Sequence, residues 1–223
     1  MPNLKPIIPP PPGSIVLFSG RGFVPWVIEL GTCSKFSHGA HVCRITKTDL
    51  VKYRPVRKWR LTDEQVANWQ DGIYLIESTT LGDKSCVIQG KPFSGVQVHR
   101  YDEYVRSYQG KVWVMRLVDP MTAEESQLLT DLSLDSVGTP YDFAGAGLAW
   151  TRVLKRLCFW RTADRRTQYC IENLLTCELF ALRGRVLPKI DPGEATPGYL
   201  EWIAGEWGLF KRPELAHDWS VSA

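Results

Sequence analysis

Apolar residues fall into short runs in the first half of the chain and into helical spacing in the second. Residues 14–19 (SIVLFS), the later half of 37–45 (SHGAHVCRI), 73–78 (IYLIES), 86–89, 96–100 and 112–118 are brief, apolar and rich in β-branched or aromatic side chains. That pattern predicts strands, the last two joined through 101–110. Two other places carry helix-start chemistry. Thr62 with Gln65, and Thr122 with Glu125, form capping boxes in which each residue can satisfy the other's backbone amide. The first predicts a short helix to about Trp69, the second a helix to about Val137 that stops at Gly138.

Gly138-Thr139-Pro140-Tyr141 reads as a turn, and Asp142 can cap a third helix through 157. Thr167 can cap a fourth, in which Ile171, Leu174, Leu175 and Leu182 recur at helical spacing before Gly184. Thr196-Pro197 opens another, with proline at the favoured first position. Strands come first and helices after, without internal repeats. The expectation is an α+β fold with an antiparallel or barrel-like sheet packed against helices. A proline-rich arm over 1–13 precedes the main domain at 14–211, and a polar tail fills 212–223.

Composition changes this picture little. With 223 residues, 44% hydrophobic and 23% charged, the chain has enough material for one well-filled core. A net charge of +3 is too mild to argue for nucleic acid. The opening twelve residues lack the apolar stretch of an export signal, and no window suggests a membrane span. The six cysteines are therefore expected as reduced thiols in a cytoplasmic-type compartment or a virion.

The candidate chemistry begins at Cys170, in the first turn of its predicted helix. Unpaired amides and the positive end of the macrodipole there favour thiolate over thiol. Free cysteines are also ordinary core residues, so partners must decide. Four histidines are available. His217 lies in the polar tail and His99 beside Arg100, and both are expected at the surface. His38 and His41 open an apolar strand, and their spacing of three sends them to opposite faces. Glu77 is the single charge in 73–78, where a buried carboxylate requires a partner. The alternative is a strand-end carboxylate reaching solvent.

The order of these motifs resembles the circularly permuted branch of the NlpC-type papain-like superfamily, the YiiX-like cysteine peptidases and amidases. In that branch histidine precedes cysteine, as His38 precedes Cys170. Gly13-Ser14-Ile15-Val16 matches the opening strand, Ser37-His38 the base motif and Glu77 the third polar residue. Gly138-Thr139-Pro140-Tyr141-Asp142 matches the turn whose tyrosine borders the active site. Tyr169-Cys170-Ile171-Glu172 matches the nucleophile, and Thr196-Pro197-Gly198 a late turn. Ile171 stands where serine is usual, and Ser14 where aspartate is.

The resemblance implies a catalytic domain without cofactor or metal. Cys170 would attack, His38 would act as base and Glu77 would orient it, with Ser37, Tyr141 and Tyr169 on the substrate or oxyanion side. His41 and Cys177 are the alternates. Cys177 imitates the nucleophile motif but lies two turns on, about 10 Å from the helix start. The implied substrate is a peptide or amide, for many relatives the stem peptide of peptidoglycan.

Three other readings compete. Relatives with the same permuted order transfer acyl groups from lipid, and the basic, apolar segment 148–166 would suit peripheral membrane association. A zinc site from Cys33, His38, His41 and Cys43 has suitable ligand types but no familiar spacing. A non-catalytic binding or structural module, for example in a phage particle, is the last. Oligomeric state is not legible.

Overall fold

Six strands form one antiparallel sheet in the order β4-β3-β2-β1-β5-β6. The computed structural model describes residues 7–21, 25–26, 29, 34–53, 61–80, 85–142, 170–185, 199–202 and 208–218, with the backbone alone for Tyr53, Cys170 and Glu172. Along the chain the elements are β1 (Ile15–Gly20), β2 (His38–Ile45), α1 (Lys47–Tyr53), α2 (Asp63–Ala67), β3 (Gly72–Thr79) and β4 (Gly95–Arg100). Then follow α3 (Tyr101–Ser107), β5 (Gly110–Met115), α4 (Ala123–Ser136), α5 (Cys170–Ala181) and β6 (Glu214–Asp218). The expected α+β class holds.

Strand alternation gives the sheet two buried faces. On one, Ile15, Leu17, Cys43, Ile45, Ile76 and Val98 pack beneath α4 and α5, which contribute Leu129, Leu134, Ile171, Leu174 and Ala181. On the other, Val16, Phe18, Ala40, Val42 and Leu75 pack against Tyr101, Tyr104 and Val105 of α3. Both capping boxes form as the sequence predicts, Thr62 with Gln65 and Thr122 with Glu125.

The structure corrects several expectations. The sheet is open rather than barrel-like, because β4 and β6 do not pair. The turn at 138–140 covers the outer edge of β4 instead: Val96 N–H donates to Thr139 O at 2.9 Å and Gly138 N–H to Val96 O at 3.0 Å. Gly138 adopts φ 83° there, a conformation that favours glycine. Residues 86–89 form a turn rather than a strand, closed by Gly90 N–H on Cys86 O at 2.8 Å. Within 212–223, read as tail, Glu214–Asp218 pair with β5 as an edge strand. The connection over 101–110 contains α3, and α1 was unforeseen. The predicted helices at 142–157 and from Thr196-Pro197 fall largely outside the described residues.

Candidate active site

The site is assembled where β1 ends and β2 begins. Ser37 clasps the two: its N–H and hydroxyl both donate to Phe18 O, and its hydroxyl accepts from Gly20 N–H. This clasp fixes the register of the next residue, His38, which pairs across from Phe18 and rests on its ring at a centroid distance of 5.7 Å. The Ser37 hydroxyl is thus engaged with β1 backbone.

His38 and Glu77 share a face because Glu77 lies in register with Ala40, the residue two beyond His38. His38 Nε2 lies 2.7 Å from Glu77 Oε2. Glu77 is buried, its side chain only 1% exposed, and His38 is 17% exposed, so the pair runs from the interior to the surface. Burial alone would raise the carboxyl's pKa, but the charge and hydrogen bond of His38, with His99 close by, outweigh it and hold Glu77 well below the usual carboxylate range. An ionised carboxylate only accepts, so Nε2 of His38 carries the proton. Proton exchange with a reacting group then falls to Nδ1.

Two further residues close around the carboxylate. Tyr104 of α3 donates its hydroxyl to Oε2 at 3.0 Å. His99 Nε2 stands 3.3 Å from Oε1, an electrostatic contact rather than an aligned hydrogen bond. His99 is 4% exposed, which corrects the expectation of a surface residue. Alternation explains the error: Arg100 and His99 are neighbours in β4 and therefore point to opposite faces. His217, also expected at the surface, is half-buried on β6.

Cys170 opens α5, and the helix reaches the His38 strand at its start. A Cβ added to Gly39 would lie 2.8 Å from Ile171 Cδ1, so glycine is required for this approach. The residue after His38 therefore touches the residue after Cys170. Tyr141 packs half-buried against the same core cluster as Ile171. Tyr169 lies outside the described residues, as do Cys33 and Thr167.

The alternates have other surroundings. His41 points to the α4 face, fully buried, with Nε2 2.7 Å from Ser133 Oγ. Burial lowers its pKa from 6.5 to about 3, so it is neutral at ordinary pH. With His38 and His41 on opposite faces, the zinc set drawn from both loses its convergence. Among the described residues no group of three or more His, Cys, Asp or Glu has metal-binding geometry. Cys177 is buried on α5, and burial, with the neighbouring Glu178, raises its thiol pKa from 9.0 to about 12. That is the reverse of thiolate activation.

Sequence reasoning missed His99 and Tyr104, and signals for both exist. Gln97 and His99 alternate with Val96 and Val98, a polar stripe that needs a buried partner. Tyr101, Tyr104, Val105 and Tyr108 recur at helical spacing.

No family model and no curated protein matches the chain. Five chains of solved structures do. Among them is the crystal structure of metalloprotein yiiX from Escherichia coli O157:H7, with a TM-score of 0.50 and 17% identity over 92% of this chain and 88% of that one. At that identity the likeness is one of fold: an α+β, YiiX-like arrangement. No helix among the described residues is long and apolar enough to cross a membrane.

Proposed function

We propose that the chain is a cysteine peptidase or amidase of the permuted NlpC type, with Cys170 as nucleophile, His38 as general base and Glu77 as the group that orients it. The observation that carries this reading is the His38–Glu77 pair, 2.7 Å apart, buried at the carboxylate end and opening toward the surface at the imidazole. The contact of Ile171 with the Gly39 position supports it, since it brings the start of α5 to the same strand end.

In this mechanism Nδ1 of His38 takes the Cys170 proton, and the helix start stabilises the thiolate. Sulfur attacks the amide carbonyl, forming a tetrahedral oxyanion that the Cys170 N–H and the Tyr141 hydroxyl stabilise. The C–N bond breaks as His38 returns the proton to the leaving amine. His38 then deprotonates a water, which hydrolyses the thioester to a carboxylate and restores the thiol. Glu77 holds the imidazole in place throughout and offsets its positive charge in the steps where it is protonated. Stem peptides of peptidoglycan are the substrate class this reading favours.

The test is incubation with muropeptides and simple aminoacyl amides in H2(18)O, with products read by mass. One heavy oxygen should enter the new carboxylate. Cys170→Ala should remove turnover entirely with the fold intact. Turnover that survives Cys170→Ala and disappears in Cys177→Ala would overturn the assignment.

A further inference from the structure

Glu77 has more partners than an orienting carboxylate needs. Its Oε2 is shared by His38 and Tyr104, while Oε1 faces His99. Tyr104 is also fixed from both sides: its ring lies 4.8 Å from that of His99 and meets Phe18 edge-on at 5.6 Å. Phe18 in turn supports the His38 ring. Without these contacts a buried carboxylate between two imidazoles could turn toward either of them. The arrangement removes that choice, because the Tyr104 hydroxyl is aimed at the same oxygen as His38.

We propose that Tyr104 and His99 are positioning residues that lock the Glu77 carboxylate with Oε2 directed at His38. The proposal rests on the cysteine–histidine reading for its consequence in catalysis, but its geometric content does not. Tyr104 pins the oxygen that His38 uses, and His99 draws the other oxygen away. The titratable groups facing Glu77 are His38 from β2, His99 from β4, Tyr104 of α3 and Tyr108 just beyond it, while Cys86 of the 86–90 turn packs in the opposite core and feels only its charge. Burial raises the pKa of Tyr108 and of Cys86, so both are neutral near pH 7.

The experiment follows the His38 ring by NMR across pH in the full chain, alongside the pH profile of iodoacetamide alkylation at Cys170. Tyr104→Phe keeps the ring and removes only the hydroxyl. His99→Leu removes the second contact, whereas His99→Gln keeps an N–H at similar reach. In Tyr104→Phe and His99→Leu, the midpoint of the His38 titration should fall by about 0.5 or more, because the anion no longer faces it squarely. His99→Gln should restore most of the wild-type midpoint. In a Glu77→Gln background, Tyr104→Phe should have no further effect, since there is no carboxylate left to direct.

An unchanged His38 midpoint in a folded Tyr104→Phe variant overturns the proposal, as does an equal shift in the Glu77→Gln background. Alkylation separates the two layers. Where His38 moves as stated and Cys170 reactivity follows, by about threefold at neutral pH, both readings stand. Where His38 moves and Cys170 does not respond, the lock is supported and the Cys170–His38 partnership falls.

Discussion

The sheet carries a histidine–glutamate cluster on each face, and the two have opposite charge states. On the α3 face, Glu77 is ionised among His38, His99 and Tyr104. On the face beneath α4 and α5, Glu178 is buried with neither carboxylate oxygen hydrogen-bonded among the described residues, and burial raises its pKa well above 4.5. His41 there is neutral too. Ser133 already donates its hydroxyl proton to Leu129 O, so His41 Nε2–H and the Cys43 thiol are donors to the same oxygen. Burial is nearly equal on the two sides. Pairing decides: a carboxylate hydrogen-bonded by an imidazole and a tyrosine hydroxyl stays charged, and one with no hydrogen-bond partner among the described residues takes a proton, even with the charge of Arg185 acting against it. The ionised carboxylate is on the first face, the uncharged one on the second.

Removing the paired charge should give the largest effect. Glu77→Ala leaves two imidazoles around an empty polar site, and breaking a buried pair by deleting one member costs about 3–5 kcal/mol. Because His38 is partly exposed, the lower end of that range is expected. Urea unfolding at pH 7 measures it, and a loss under about 1 kcal/mol would mean the cluster contributes little to stability. The same variant should also lose reactivity at Cys170.

A smaller effect separates the two unpaired groups by pH. The native pKa of His41 is lowered, so its contribution to stability is complete above 6.5 and is lost as pH falls from there toward about 3. The native pKa of Glu178 is raised, so its contribution is complete below 4.5 and is lost as pH rises from there. Between 4.5 and 6.5 the two slopes oppose each other, each approaching about 1.4 kcal/mol per pH unit. Measured as a difference from wild type, Glu178→Leu should grow more stabilising with rising pH across that window. His41→Gln should show the reverse trend. Equal and parallel curves for both variants would refute the assignment of charge states.

How much of this was legible follows from what kind of signal each residue leaves. Glu77 was readable because a lone charge in an apolar strand must be explained by a partner. The capping boxes were readable because they are local, with both members three residues apart. His99 misleads because adjacency to Arg100 suggests exposure, although neighbours in a strand face opposite ways. Tyr104 was lost with α3, a seven-residue helix whose tyrosines suit a strand equally well. Sheet closure left no trace at all. Whether β4 meets β6 or a turn depends on long-range packing, not on any run of residues.

The finest distinction between the two faces concerns sulfur. Cys177 lies on the neutral side, 4% exposed, with its thiol pKa pushed up to about 12 by burial and by Glu178. At neutral pH almost none of it is thiolate, and reagents reach it only when α5 opens. Cys177→Ala should therefore leave the rate and extent of native-state iodoacetamide labelling unchanged, while costing about 1 kcal/mol in urea for the lost packing. In denaturant the wild type should take up one more label than the variant. A fall in native labelling in Cys177→Ala would show that the buried thiol beside Glu178 is reactive in the folded chain, and the uncharged state assigned to its surroundings would fail.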